Sequence, residues 1–123
     1  MYKKIKKNEK ITRKITDVHS ADNYLTKETT ENISLAINRL DGKLDLVKTA
    51  NERVFYFINA DVDFMIDNDK VHFEDGEVLY LSKDTNYSAI GTFEAVVVNC
   101  PAFGVIKEWN NKLQYIERID LEE

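Results

Sequence analysis

Apolar positions along the chain fall in short runs rich in Val, Ile, Phe and Tyr, and no stretch keeps a clean helical period. The runs predict strands over 33–40, 43–48, 53–58, 61–66, 71–74, 77–81, 93–99 and 113–119. Asp41-Gly42 and Asp67-Asn68-Asp69 have the composition of hairpin turns. The segment 105–113, VIKEWNNKL, fits one or two helical turns. Many short strands at this spacing predict an all-β sandwich or barrel.

Two of the runs break the usual alternation. RVFYFI (53–58) and FEAVVVN (93–99) are apolar on both faces, whereas a strand in a lone sandwich has one polar face. Such a surface left open invites aggregation, so either a partner subunit or the N-terminal segment is expected to cover it. The expectation is a homodimer formed through these strands.

The chain has 123 residues, 43% hydrophobic and 32% charged, which is enough for one globular core and excludes a disordered or fibrous class. No apolar run reaches the ~20 residues of a bilayer span. The basic start, MYKKIKKNEKITRK, has no apolar segment behind it, so neither a secretory signal nor a membrane partner is expected. With Cys100 the only cysteine, no internal disulfide is expected and the cytoplasm is the predicted compartment. Seven of the seventeen Lys and Arg residues lie in 1–14, while the rest of the chain is acidic and the net charge is −5. Few aromatics accompany the basic residues and the acidic body repels phosphate, so no nucleic-acid partner is expected. The predicted division is a basic arm and lead-in over 1–32 and a barrel over 33–123, within a single domain.

One stretch has a recognisable frame. In GEVLYLSKDTNY, 76–87, a glycine is followed by five strand residues, then Ser82, Lys83, Asp84, Thr85, Asn86 and Tyr87. Upstream, Gly42 opens a turn, Glu52 precedes the apolar run RVFYFI, and Asn59 follows Glu52 with six residues between. Downstream, VVVNCPAF is a strand that ends in a proline step. Together 42–103 resembles the cupin superfamily, whose fold is a double-stranded β-helix, or jelly-roll, barrel. In the family's second motif the positions of Ser82, Asp84 and Tyr87 are proline, glycine and histidine. Asn59 stands where the family usually has glycine. The two histidine positions of the first motif fall on Asp45 and Val47, or on Lys48 and Ala50, depending on which end the count starts from.

That resemblance implies a metal site of three imidazoles and a carboxylate, and this chain supplies Glu52, Asp45 and a phenol instead. Its two histidines, His19 and His72, lie outside the motifs. No transition metal and no other cofactor are therefore expected; carboxylates alone would hold Mg²⁺ or Ca²⁺ only loosely. A more distant resemblance is to ectoine synthase, carried by length, Asp17-Val18-His19, Glu52 and Lys83. That enzyme's motif-two histidine is Tyr87 here, and the nearest match to its ligating tyrosine, Tyr80, is one residue out of step.

If Glu52 points into the barrel, period two sends Val54, Tyr56 and Ile58 inward and Arg53, Phe55 and Phe57 outward. The ligand-binding candidates are then Glu52, Tyr56, Lys83, Asn86 and Tyr87, though each also fits a purely structural role. Asp61, Asp63, Asp67 and Asp69 read as a solvated strand face. The function expected is a metal-free cupin-like protein that binds a small polar or carboxylate-bearing ligand. One alternative is an enzyme, either a sugar isomerase or epimerase or an ectoine-synthase-like lyase or cyclase, with Glu52 as base and Tyr87 as acid. Another is a structural or regulatory protein with a filled barrel.

Overall fold

A computed structural model describes residues 1–103, 107–109 and 115–117. Its strands are β1 (Ile11–Thr16), β2 (His19–Leu25), β3 (Ser34–Lys48), β4 (Glu52–Ile66), β5 (Asp69–Glu74), β6 (Val78–Leu81), β7 (Asn86–Cys100), β8 (Lys107–Trp109) and β9 (Tyr115–Glu117). They follow the order β1-β2-β3-β7-β4-β5, with β6 on β4 and β8 on β3 and β9. Every pairing is antiparallel. No helix among the described residues is long and apolar enough to cross a membrane.

Four predicted strands merge into two. Residues 33–40 and 43–48 belong to β3, and 53–58 and 61–66 belong to β4, each 15 residues long, like β7. Asp41-Gly42 is therefore no hairpin turn. Gly42 sits mid-strand opposite Gly91, with φ values of 143° and 136°, which β-carbon-bearing residues rarely adopt. A side chain on Gly91 would press on the Asp61 carbonyl and stand 2.7 Å from the Val62 Cα. The glycines let three long strands cross closely and bend, so each serves two faces of the barrel. The other predicted turn is present: Asp67 takes φ 53° in a two-residue loop between Ile66 and Asp69.

Residues 11–25, assigned from the sequence to a lead-in, are β1 and β2 of the barrel wall. Half of their inward positions are polar (Arg13, His19 and Asn23 against Ile15, Ala21 and Leu25), which hid the alternation. Burial is tolerated because partners are at hand. Asn23 Nδ2 donates to the Ile11 carbonyl at 3.0 Å, and on the opposite face of β2 the buried Asp22 accepts from Thr12 at 2.7 Å and from Arg39 at 2.8 Å. Residues 107–109, expected in a helical turn, pair as a strand; the rest of 105–113 lies outside the described residues. Of the predicted strand 113–119, residues 115–117 are described, as β9.

The phase of β4 is the reverse of the one expected. Arg53, Phe55 and Phe57 are buried, while Glu52, Tyr56 and Ile58 are exposed. A run apolar on both faces does not announce which face is inside, and only the neighbours of Arg53 decide it. Past Ile58 the parity switches, because the register steps from Phe57↔Ala95 to Asn59↔Glu94 and leaves Ile58 as an extra residue. Beyond that bulge Val62 and Phe64 face inward. The core they join is a cluster of rings, Phe55, Phe57, Phe64, Phe73 and Phe93, with Leu40, Leu79 and Leu81 around it. Their centroids lie 5.0–6.0 Å apart, mostly edge to face.

Candidate functional site

The rings fill one end of the barrel; the other end holds a cavity of about 80 Å³. Its wall is the inner face of β2, β3 and β7, closed by β1 and by the start of β4. In register, Arg53 stands opposite Asn99, and the row continues to Ser34 on β3. One step inward the row is Phe55, Val97 and Ala36, then Asn23 on β2. The lining thus grades from apolar at the ring cluster to polar at the mouth. Arg13, His19, Asn23, Thr26, Ser34, Asn38, Arg53, Tyr87 and Asn99 supply its polar groups, and no carboxylate among the described residues joins them.

Arg53 organises this end, and only 6% of it is exposed. Its Nε donates to Asn99 Oδ1 at 2.6 Å, its Nη1 to the Tyr87 hydroxyl at 2.6 Å, and its Nη2 reaches Asn51 Oδ1 at 3.5 Å. A buried guanidinium is tolerated only with such acceptors around it. Its carbon also stands 5.7 Å from the Phe103 ring centroid, which Arg13 approaches to 5.6 Å from β1. The segment carrying Phe103 is pinned: Asn51 Nδ2 donates to the Pro101 carbonyl at 3.2 Å, and the Phe103 amide donates to Ser34 Oγ at 2.8 Å.

Of the five residues singled out in the sequence, Tyr87 alone enters this cavity. Its ring packs on Phe55 and Phe64, with centroids 6.1 Å and 6.0 Å away, and its hydroxyl meets Arg53. Glu52 and Tyr56 lie on the outer face, a correction that follows from the reversed phase of β4. Partial desolvation, then the charge and hydrogen bond of Glu52, hold the Tyr80 phenol above its ordinary value on that face. Lys83 and Asn86 are also exposed. Their turn is braced from below. Thr49 Oγ1 donates to the Ser82 carbonyl at 2.9 Å and accepts from the Thr85 amide at 3.0 Å, while Asp84 takes φ 66° at the family's glycine position.

The residues that sequence reasoning missed are Arg13, His19, Asn23, Asn38, Arg53 and Asn99. A signal for two of them exists. Arg53 and Asn99 continue the inward rows Phe57-Phe55 and Ala95-Val97, each as the polar residue ending an apolar face. Polar ends on paired strands mark the mouth of a cavity.

Two charged clusters lie elsewhere. Burial of Asp22 opposes its ionisation, but hydrogen bonds from Thr12 and Arg39 outweigh it and hold the carboxyl below its ordinary value. Arg39 also pairs with Glu94 at 3.0 Å. On β5, His72 Nδ1 lies 2.7 Å from Asp63 Oδ1, and this bond, with the charges of Asp63, Asp61 and Glu74, raises the imidazole above its ordinary value. That face is solvated, as the aspartate pattern suggested, and His72 does not line the cavity.

A centre of three imidazoles and a carboxylate does not fit the cavity. His19 is its one imidazole, accompanied by guanidiniums and carboxamides that are poor donors to transition metals. Among the described residues no group of three or more His, Cys, Asp or Glu is placed to hold a metal ion.

No family model matches the chain, and no curated protein matches it. Solved structures do. A tyrosine-to-phenylalanine variant of PAC13 from Streptomyces, solved with uridine, is 12% identical with a TM-score of 0.74, over 96% of this chain and 93% of that one. KdgF from Halomonas sp. is 9% identical with a TM-score of 0.70, over 82% of this chain and 94% of that one. Ectoine synthase from P. lautus is 12% identical with a TM-score of 0.62, over 70% of this chain and 66% of that one. Long antiparallel strands wrapped into one barrel, the preserved turn of 76–87 and these likenesses lead to one conclusion: the chain has the cupin fold, a double-stranded β-helix or jelly-roll barrel, with a distant resemblance to ectoine synthase.

Proposed function

We propose that the protein binds a small oxygen-rich molecule, a sugar, nucleoside or small carboxylate, in the polar end of its barrel, without a resident transition metal. The observation that carries this reading is the convergence of Arg13, Arg53, His19 and the carboxamides of Asn23, Asn38 and Asn99 on one cavity. Guanidinium and amide N–H groups are donors, suited to hydroxyl, carbonyl and carboxylate oxygens. The Phe103 ring and the aliphatic wall from Leu44 and Val97 give the same ligand an apolar side. PAC13, similar in fold over nearly its whole length, was solved with uridine, which has this mix of hydroxyls, carbonyls and a flat ring.

Isothermal titration of the purified protein with uridine, hexoses and small dicarboxylates tests the proposal. Saturable binding by at least one class, weakened tenfold or more in folded Arg53→Met, is the expected result. Folded protein that binds none of them would leave the reading of a structural or regulatory barrel. A second reading, an isomerase, epimerase or lyase, draws on His19 and Tyr87 lining the same cavity, since an imidazole and a phenol can exchange protons with a bound molecule. NMR of a bound ligand incubated with the protein separates the two: a binder returns it unchanged, an enzyme converts it.

A further inference from the structure

The balance of donors and acceptors around the cavity separates carboxylates from sugars and nucleosides. Arg13 and Arg53 bring donors alone, and both approach the Phe103 ring, with guanidinium carbons 5.6 Å and 5.7 Å from its centroid. Three lining oxygens already accept a protein N–H: Asn99 Oδ1 and the Tyr87 hydroxyl from Arg53, and Ser34 Oγ from the Phe103 amide. No carboxylate among the described residues lines the cavity. A sugar brings a donor with every hydroxyl, and each needs an acceptor once it leaves water. A carboxylate brings acceptors only, and its plane matches the guanidinium fork.

Size points the same way. A cavity of about 80 Å³ holds on the order of six waters at ~10–15 Å³ each. That suits a molecule with a comparable number of non-hydrogen atoms, smaller than a hexose or a nucleoside. Leu44, Val47 and Val97 form the apolar wall, which suits a short carbon skeleton. Two permanent positive charges in a partly enclosed site also draw in an anion, although the chain as a whole carries −5. We infer that the ligand is a small aliphatic carboxylic acid bound as its anion. Its carboxylate lies at the guanidiniums of Arg13 and Arg53 beside Phe103, and its carbon skeleton runs along Leu44, Val47 and Val97. The inference rests on the binding function proposed for this cavity and narrows it to one class.

Isothermal titration of acids and their amides tests this, since an amide keeps the shape of its acid and exchanges an acceptor oxygen for a donor. The probes are isobutyrate, lactate and malonate, then isobutyramide, lactamide and malonamide, with uridine and glucose alongside. At least one acid should bind saturably, with its amide weaker by about tenfold or more. Arg13→Gln, on a different strand from Arg53, should weaken that acid by about tenfold and keep the wild-type circular dichroism spectrum. The acid–amide comparison uses wild type, so it decides the matter even if that variant does not fold. An amide that binds as tightly as its acid, or saturation by uridine or glucose alone, overturns the inference and leaves the broader binding function standing. A folded Arg13→Gln that keeps the full affinity for the acid does the same. Saturation by none of these compounds overturns both.

Discussion

β4 and β7 build both ends of the barrel interior, and the two ends obey different rules. At one end Phe57, Phe64, Phe73 and Phe93 close on one another and Phe57 has no exposed surface. At the other, Arg53 and Asn99 line a cavity, with Asn51 bonding Arg53 beside it. The ring end gains from dispersion and from apolar area removed from water, and each ring needs only to be present and well packed. The polar end gains little from burial. Its groups must satisfy one another's hydrogen bonds, and its unfilled volume is what a ligand can use. Tyr87 belongs to both ends, with its ring among the phenylalanines and its hydroxyl against Arg53.

If the ends differ in this way, substitutions should separate stability from binding. Phe57→Ala leaves a cavity among four rings and should cost about 3–5 kcal/mol in chemical denaturation. Arg53→Met removes donors from three side-chain oxygens; it should cost about 1–3 kcal/mol and abolish most ligand affinity. A loss for Arg53→Met as large as for Phe57→Ala would break the comparison, because it would make the polar end the main source of stability. Tyr87→Phe sharpens it. The ring contacts persist and one neutral acceptor is lost, so stability should fall by about 1 kcal/mol, with ligand binding weakened by a similar amount if the hydroxyl contacts ligand.

The smallest effects are in pH dependence and involve neither end. Asp22 is held below its ordinary value of about 3.9, so its contribution is complete above that pH and is lost as pH falls through the folded value. His72 is held above its ordinary value of about 6.5. Its contribution is complete below that pH and is lost as pH rises through the folded value. Melting curves of Asp22→Asn and His72→Gln should flatten the acid and the near-neutral slopes respectively. Because His72 is exposed, its change should be the lesser. An unchanged acid slope in Asp22→Asn would remove the proposed role of the Thr12–Asp22–Arg39 cluster.

The fold was legible because its signals are local. The turn of 76–87 keeps its frame even where Asp84 replaces glycine, since aspartate tolerates a left-handed conformation better than most residues. The long strands were not legible. Asp41-Gly42 has the composition of a hairpin turn, and only the pairing with Gly91 reveals a strand bent in its middle. The site was hidden for a related reason. A run apolar on both faces carries no phase, so Glu52 and Tyr56 were turned inward when Arg53 is the inward residue. His19 and Asn23 were missed because β2 buries polar residues against partners from other strands, a pattern that no single stretch of sequence displays.

The central claim, that the polar end of the barrel is a ligand cavity while the ring end is closed packing, is tested most directly by chemical-shift mapping. Labelled protein is titrated with uridine, a hexose and a small dicarboxylate in turn. The account predicts saturable shifts at the amides of His19, Asn38, Arg53, Tyr87 and Asn99 with at least one of them, and none at Phe64 or Phe73. Shifts confined to the outer face around Glu52, Lys83 and Asn86, or no saturable shift with any of the three, would contradict it.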